Sequence, residues 1–177
     1  MSARGDNMSS IDEKYVLSSA QTRRKEPSGK QIEIEIAGYT FVADLLDHMA
    51  PRTCAAILSA LPLETITYHQ FWSGSGLQVH GLALKSAAQK FGLWPDPQYP
   101  DYGENPNIFS CRGEVGFHPI SPGLFITYGK SRFYGPEYGV LPTYIFAEIN
   151  KDLDKLKEIG RKIGREGQQK IVIREKK

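Results

Sequence analysis

The stretch that decides the fold class runs from Gln31 to Leu46 and reads QIEIEIAGYTFVADLL. Isoleucines at 32, 34 and 36 alternate with Glu33 and Glu35, which is the period of a strand with one buried face. Ala37-Gly38 predicts a tight turn, and the apolar run that follows it predicts a second strand. The sequence therefore predicts that the ordered part of the chain opens with a β-hairpin.

Beyond the hairpin, the sequence holds two helical patterns and a series of short apolar runs. Pro51 to Leu61 carries apolar residues at 54, 57, 58 and 61, the spacing of a helix with one buried face. The same kind of stripe occurs at 153, 156, 159 and 163, where Asn150 is the predicted N-cap. Further predicted strands cover 65–72, 76–82, 108–112, 114–119, 124–128, 143–149 and 171–173. We expect long loops over 94–106 and 130–141.

This order of elements predicts a mainly β fold, built as a closed β-barrel with two capping helices. Closure removes the exposed edges of the sheet, and a helix over each open end covers the core. We assign the barrel domain to residues 30–177 and a flexible N-terminal tail to the polar residues 1–29. A chain of 177 residues buries enough surface to fold without disulfides or metal.

Composition and charge exclude several classes of partner. The chain has 22 Lys+Arg and 20 Asp+Glu, and this net charge of +2 argues against nucleic acid. No run approaches the roughly 20 apolar residues of a membrane span, and the N-terminus lacks a signal segment, so we expect a cytoplasmic protein without a membrane partner. Cys54 and Cys111 fit no metal spacing, and no nucleotide-binding loop is present. We therefore expect no metal and no cofactor.

Five short motifs occur in order between residues 31 and 173, and together they resemble a known family. They are Ala50-Pro51-Arg52-Thr53-Cys54, Trp72-Ser73-Gly74, Glu104-Asn105, Tyr128-Gly129 and Phe146-Ala147-Glu148-Ile149. The family is a bacterial group of cyclophilin-like proteins of long-unassigned function, and the resemblance implies a cyclophilin-like β-barrel. This family is similar to the opine synthases that make cucumopine and mikimopine. Those enzymes join histidine and 2-oxoglutarate as an imine and close a ring by a Pictet–Spengler reaction without a redox cofactor.

The same resemblance argues against prolyl isomerase activity. Isomerases of the cyclophilin fold carry a Phe-His-Arg segment followed by Gln-Gly-Gly-Asp, and that arginine is catalytic. The corresponding stretch of this chain runs from Tyr68 to Gly74, reads YHQFWSG and lacks the arginine. A shared fold does not by itself transfer a function.

Four residues are the candidates for acid–base chemistry. Glu104 lies in a loop stiffened by the proline at 106 and is the predicted general base, although its carboxylate fits equally well as a partner for loop backbone N–H groups. His80 is the predicted proton shuttle, and His69 on the preceding strand is the alternative. Each of these histidines could instead be a packed strand residue without a role in catalysis. Tyr128 is a candidate proton donor. Glu148 is a second acid–base candidate if it points inward, and a solvated surface residue otherwise.

Six further residues are predicted to bind the substrate. Lys130 and Arg132 are expected to hold carboxylate groups, with Asn105 as an additional anchor for an anion. Trp72 is the predicted wall of the site, and Ser73 begins a Ser-Gly-Ser-Gly run that can turn backbone N–H groups toward an anion. Tyr134 is the second candidate proton donor beside the two cations. The structural alternative for Trp72 and the Ser-Gly-Ser-Gly run is core packing with a hairpin turn. The alternative for the segment that holds Lys130, Arg132 and Tyr134 is an exposed hairpin.

These residues predict an enzyme that acts by acid–base catalysis on a small polar molecule bearing a carboxylate. The most concrete version, implied by the resemblance, is an opine synthase of the cucumopine or mikimopine type. A non-catalytic module that binds a small ligand or a peptide in the same place is the alternative. A homo-oligomer is compatible with either function.

Overall fold

Eleven strands and three α-helices make up the part of the chain that the computed structural model describes, residues 26–93, 103–118, 123–135 and 139–177. The strands are β1 (Gln31–Ile36), β2 (Tyr39–Leu45), β3 (Leu63–His69), β4 (Gly74–His80), β5 (Pro106–Asn107), β6 (Glu114–His118), β7 (Gly123–Ser131), β8 (Tyr134–Gly135), β9 (Gly139–Val140), β10 (Thr143–Ile149) and β11 (Gln169–Glu175). The helices are α1 (Pro51–Ala60), α2 (Leu82–Lys90) and α3 (Leu153–Glu166). A 3-10 turn, Phe71–Ser73, joins β3 to β4.

Eight of the strands close into an antiparallel barrel. Their order is β2-β1-β11-β3-β4-β7-β6-β10, and pairing of β10 with β2 completes the ring. The short strand β5 adds to β10, while β8 and β9 form a separate two-stranded sheet. The mainly β, closed-barrel prediction is confirmed.

The hairpin that opens the barrel has the predicted form. Ile32, Ile34 and Ile36 are fully buried, whereas the glutamates between them are partly exposed. Ala37 and Gly38 both have positive φ, 51° and 77°, which a two-residue hairpin turn with the right twist requires. Burial of one face of β1 fixes its register, because a slip of one residue would expose all three isoleucines.

The structure corrects the number of helices. The sequence predicts two helices and a strand over 76–82, but that strand ends at His80 and α2 begins at Leu82. Leu84, Ala87 and Ala88 of α2 are buried, at the spacing of a helical face, and α2 packs on α1. Leu82, which the sequence places at the end of a strand, is 87% exposed.

The predicted strand over 108–112 is also wrong. Its backbone groups are taken by side chains: Asn107 Oδ1 accepts from Phe109 N at 3.0 Å, and Glu114 Oε2 accepts from Cys111 N at 2.7 Å. These contacts make turns rather than a ladder, and Ser110 alone forms an isolated bridge to Ser131.

Two loop and capping predictions are corrected as well. Within the predicted loop 130–141, β7 continues to Ser131 and β8 pairs with β9, while 136–138 lie outside the described residues. Helix α3 starts at Leu153, so Asn150 is not its N-cap; the Asn150 amide instead donates to Asp44 Oδ2 at 3.1 Å.

Parts of the other predictions lie outside the described residues. These are positions 1–25 of the predicted tail and 94–102 of the first predicted loop. Within the described part of the chain, none of the helices is both long and apolar enough to cross a membrane.

Candidate functional site

A groove of about 570 Å³ lies beside the 3-10 turn, and we call it the Arg132 groove. Its lining residues are Trp72, Ser73, Gly74, Phe109, Ser110, Cys111, Lys130, Ser131 and Arg132. Four of these were predicted from the sequence as substrate-binding residues: Trp72, Ser73, Lys130 and Arg132. The pairing of β4 with β7 brings them together, because Gly74 lies opposite Ser131.

The walls of the Arg132 groove combine aromatic rings with positive charge. The Trp72 and Phe109 side chains are 68% and 65% exposed, which is unusual for residues of this size. The Arg132 guanidinium lies over the Phe109 ring, 5.9 Å from its centroid. Such an arrangement offers a flat apolar surface beside a cation, and it suits an anion that carries an apolar part.

The floor of the groove is held by backbone and hydroxyl contacts. Ser73 is buried, its carbonyl accepts from Arg132 N at 2.9 Å, and its Oγ accepts from Tyr134 N at 3.1 Å. Gly74 has a φ of 88°, and a Cβ there would lie 2.8 Å from the Lys130 carbonyl oxygen. Ser73 and Gly74 therefore fix the approach of the segment that carries Arg132.

The structure places two predicted substrate-binding residues elsewhere. Tyr134 is not among the described residues that line the groove; its backbone N–H supports Ser73 instead. The Asn105 side chain donates to the Ile145 carbonyl at 2.9 Å, which ties its loop to β10. The structure therefore does not bring these two side chains together with the four groove residues.

The Glu104 carboxylate lies at the N-terminus of α1. Its Oε2 accepts from Thr53 N at 2.8 Å and from Thr53 Oγ1 at 3.1 Å, and its Oε1 accepts from Arg52 Nε at 3.2 Å. The N-cap position of α1, Ala50, has no side chain able to accept from these donors. Glu104 thus supplies from a distant loop the acceptor and the negative charge that a helix N-terminus favours.

His80 and Glu148, the other two acid–base candidates on strands, also lie away from the groove. The His80 ring stacks on Tyr68, with centroids 5.8 Å apart. Glu148 is half-buried on β10, where the ladder places it opposite Asp44 on one side and Glu114 on the other. Neither of them is among the described residues that line the Arg132 groove.

The histidine that contacts Tyr128 is His69, the alternative to His80 in the sequence prediction. The Tyr128 phenol oxygen lies 2.6 Å from His69 Nε2, and Ser75 is hydrogen-bonded to the same phenol. Tyr128 is 6% exposed, and desolvation raises its pKa; the same cause lowers the pKa of His69. Both groups are therefore neutral near pH 7, in the forms that allow the phenol to donate and the imidazole to accept.

Helix α3 covers this pair through its glycines. A Cβ at Gly160 would lie 2.3 Å from the Tyr128 ring, and one at Gly164 would lie 3.2 Å from His69 Cδ2. Two glycines one turn apart thus let α3 close over the tyrosine and the histidine. The sequence shows the glycines but does not show which rings they face.

His69 also lines a second cavity of about 500 Å³, which we call the His69 pocket. Its lining residues are Tyr68, His69, Gln70, Phe71, Trp72, Gln78, Ile163, Gly164, Arg165, Gly167 and Gln168. Trp72 belongs to both cavities, so the Arg132 groove and the His69 pocket are neighbours on the surface.

The two cysteines have opposite environments. Both are free thiols; Cys54 is buried and donates to the Phe146 carbonyl at 3.3 Å, and burial raises its pKa to about 12. Cys111 is exposed in the Arg132 groove, in the segment 108–112 that the sequence predicts as a strand. Within the described residues, no group of three or more His, Cys, Asp and Glu side chains is placed to hold a metal ion.

The solved structures that are similar to this chain include McbB and AF2241. The structure of McbB in complex with tryptophan has a TM-score of 0.61 and 22% sequence identity, and it covers 82% of this chain. This chain spans 45% of McbB. The solution structure of the hypothetical protein AF2241 from Archaeoglobus fulgidus has a TM-score of 0.56 and 13% identity. The match covers 86% of this chain and 98% of the AF2241 chain. At these identities the likeness concerns the fold.

Comparison by sequence identifies the family. No functionally curated protein matches the chain. The family described as "Protein of unknown function (DUF3830)" matches residues 32–174, a range that takes in the three described helices and the eight barrel strands apart from Gln31 and Glu175. The chain is therefore a member of the DUF3830 family.

Proposed function

We propose that this protein binds a small molecule bearing a carboxylate in the Arg132 groove and transforms it by proton transfer. The most concrete reaction is the opine synthesis that the sequence motifs suggest, in which histidine and 2-oxoglutarate condense with loss of one water and the imine closes to a ring. We further propose that the protein works in the cytoplasm without a cofactor.

One observation carries the proposal: Lys130 and Arg132 lie beside two exposed aromatic rings in one groove. Arginine presents a planar fork that matches a carboxylate, and lysine adds a point charge. Exposed Trp72 and Phe109 give the remainder of the ligand a surface on which to stack. None of the described residues that line the groove is acidic, so an anion meets no opposing charge from them.

For the proton transfer we propose Tyr128 with His69. The phenol oxygen takes a proton from the substrate while the phenol's own proton passes to the neutral imidazole, and the reverse transfer returns a proton to the substrate. His69 lines the His69 pocket, which shares Trp72 with the Arg132 groove, so the pair lies beside the proposed ligand site. Glu104 has no part in this proposal because its carboxylate is committed to α1.

The comparison with McbB supports a ligand of this class. That protein is solved in complex with tryptophan, an amino acid with a carboxylate and a planar ring, and 45% of it matches this chain. The likeness is therefore compatible with a small carboxylate-bearing ligand.

The test is turnover. Purified protein is incubated with histidine and 2-oxoglutarate, and mass spectrometry follows the product whose mass is the sum of the two minus one water. We expect the product to form faster than in a protein-free control, and Arg132→Gln to slow it at least tenfold. Arg174→Gln is the matched control, since Arg174 forms surface ion pairs with Glu33 and Glu35 on the barrel and leaves the groove intact.

A rate equal to the protein-free control contradicts the opine reaction. In that case, the melting temperature is measured with and without 2-oxoglutarate. A rise in the wild type that is absent in Arg132→Gln indicates a binding module, because ligands stabilise the state that binds them. Size-exclusion chromatography of the same samples tests for a homo-oligomer.

A further inference from the structure

The Arg132 groove and the His69 pocket meet at the Trp72 side chain. Trp72 lines both cavities and is 68% exposed. Phe71, the residue before it, lines the pocket and is 70% exposed. A ligand longer than one cavity can therefore lie across Trp72 and reach into both, with an aromatic surface against its middle part.

The His69 pocket carries a cation of its own, Arg165. This arginine lines the pocket and is exposed in the last turn of α3. In the same turn, Lys162 forms an ion pair with Glu166 at 3.7 Å. Arg165 differs from Lys162, because no carboxylate among the described residues pairs with it. Its guanidinium is therefore available to an anion that enters the pocket.

The charges of the two cavities match one class of ligand. Lys130 and Arg132 line the groove, Arg165 lines the pocket, and none of the described residues that line either cavity is acidic. Each cavity thus offers a cation to a carboxylate, and the aromatic surface at Trp72 suits an uncharged part between two such groups. Because His69 lines the same pocket, a ligand that reaches Arg165 also comes beside the proposed proton-transfer pair.

We propose that Arg165 is a second carboxylate anchor, and that the ligand is a dicarboxylate that lies across Trp72 between Arg132 and Arg165. This inference rests on the function proposed above, because it takes the Arg132 groove as the place of the first carboxylate. In the opine reaction, Arg165 holds the carboxylate of the second reactant, and the joined reactants carry the required pair of carboxylates.

The test compares dicarboxylates with their own monomethyl esters, which have nearly the same length and one carboxylate fewer. The probes are succinate, adipate, suberate and sebacate, titrated into the full chain by calorimetry at constant ionic strength. We expect the diacid whose length fits the site to bind about tenfold more tightly than its ester, because only the diacid engages both arginines. Equal affinity of every diacid and its ester would overturn the proposal.

The variant Arg165→Gln assigns the second contact. It should weaken the best diacid about tenfold and leave its ester unchanged, so the preference disappears. Arg165→Lys keeps the charge and should retain part of the preference, so it serves as the test if the glutamine variant does not fold. A preference that survives unchanged in Arg165→Gln contradicts the assignment.

Lys162→Gln is the matched control. It removes one positive charge from the same turn of α3, so any effect on the helix dipole is common to both variants. Lys162 is not among the described residues that line either cavity, and its variant should bind the diacid and the ester as the wild type does. An equal loss of diacid affinity in Lys162→Gln and Arg165→Gln would show a general charge effect and overturn the proposal.

The variant Arg132→Gln separates an error in this inference from an error in the proposed function. If it weakens diacids and esters alike while Arg165→Gln changes neither, the groove binds carboxylates and only the role of Arg165 is wrong. If Arg132→Gln leaves every affinity unchanged, or if no probe binds, the proposed ligand site is wrong and the second anchor is refuted with it.

Discussion

At the scale of single residues, His118 shows how burial sets a charge. It is the last residue of β6, it is 3% exposed, and its ring stacks on Phe133 with centroids 4.0 Å apart. Desolvation of the charged form lowers its pKa to about 4. The proline that follows it suggests a turn in the sequence, whereas the strand carries the histidine into a packed layer of rings.

His118 should make the protein acid-sensitive. An unfolded histidine has a pKa near 6.5, so between about pH 6.5 and 4 the unfolded chain binds the proton that the native state does not. The free energy of unfolding should therefore fall as the pH decreases through this window, by about 2 kcal/mol between pH 7 and pH 5 from this residue alone. Urea unfolding at the two pH values measures the loss.

The control for this prediction is His118→Phe, which keeps a ring against Phe133 and removes the titrating group. The difference in stability between pH 7 and pH 5 should shrink by about 2 kcal/mol in this variant. A pH dependence identical to that of the wild type would show that protonation of His118 is not linked to unfolding.

The sequence predicted which residue types could bind or react. It did not predict which of them lie together, because that depends on the pairing of distant strands. Trp72 and Arg132 were identified by type, but only the β4–β7 pairing puts them in one groove. Tyr128 was identified as a proton donor, but its partner His69 lies 59 positions earlier and depends on the strand order β3-β4-β7. Phe109 and Cys111 were not predicted as groove residues because their segment has the sequence pattern of a strand. Contacts with the Asn107 and Glu114 side chains fold it into turns instead.

At the scale of elements, α1 depends on a residue that is not part of it. Glu104 lies 51 positions from Thr53 and accepts from both the backbone N–H and the hydroxyl of that residue. Its side chain is 14% exposed, so water replaces these contacts poorly. The contact joins the loop before β5 to the first turn of the helix.

Replacement of this carboxylate should therefore destabilise the protein. We expect Glu104→Ala to lower the free energy of unfolding by about 1–2 kcal/mol, the typical cost of a lost helix cap. Chemical denaturation followed by circular dichroism measures it. Glu64→Ala is the matched control, because the Glu64–Lys170 ion pair on the barrel surface is 64% and 66% exposed and such pairs contribute little. Equal stability of Glu104→Ala and Glu64→Ala would refute the capping role.

Elements with strong periodicity were predicted, and weakly marked ones were not. The hairpin and α3 carry regular apolar stripes, and both are present. Helix α2 was missed because its nine residues bury only Leu84, Ala87 and Ala88, and two of these are small. Its position depends on contact with α1, which the local sequence does not encode.

At the scale of the whole molecule, the barrel is closed by its last strand. β11 pairs with β1 on one side and with β3 on the other, and its Ile171 and Ile173 are fully buried. Without β11, β1 and β3 each lose one of their two neighbouring strands, and the core opens along one side. The stability of the barrel is thus a property of the complete ring rather than of any hairpin in it.

Removal of residues 169–177 should abolish cooperative folding. We expect the shortened protein to lose its near-ultraviolet circular dichroism and its sharp urea transition, because the buried isoleucines and both strand ladders are lost together. Removal of Lys177 alone, which lies beyond β11, should leave the transition unchanged. A shortened protein with the midpoint of the full chain would show that closure is dispensable.

The pairing of β1 with β11 also places the two ends of the barrel side by side. Ile32 lies opposite Glu175, and the Lys176 backbone N–H donates to the Gln31 carbonyl at 3.0 Å. A short linker can therefore join the two ends, and new termini can be cut at an exposed turn such as Ala37-Gly38. The barrel is suited to circular permutation, and to insertion as a single unit into a surface loop of another protein.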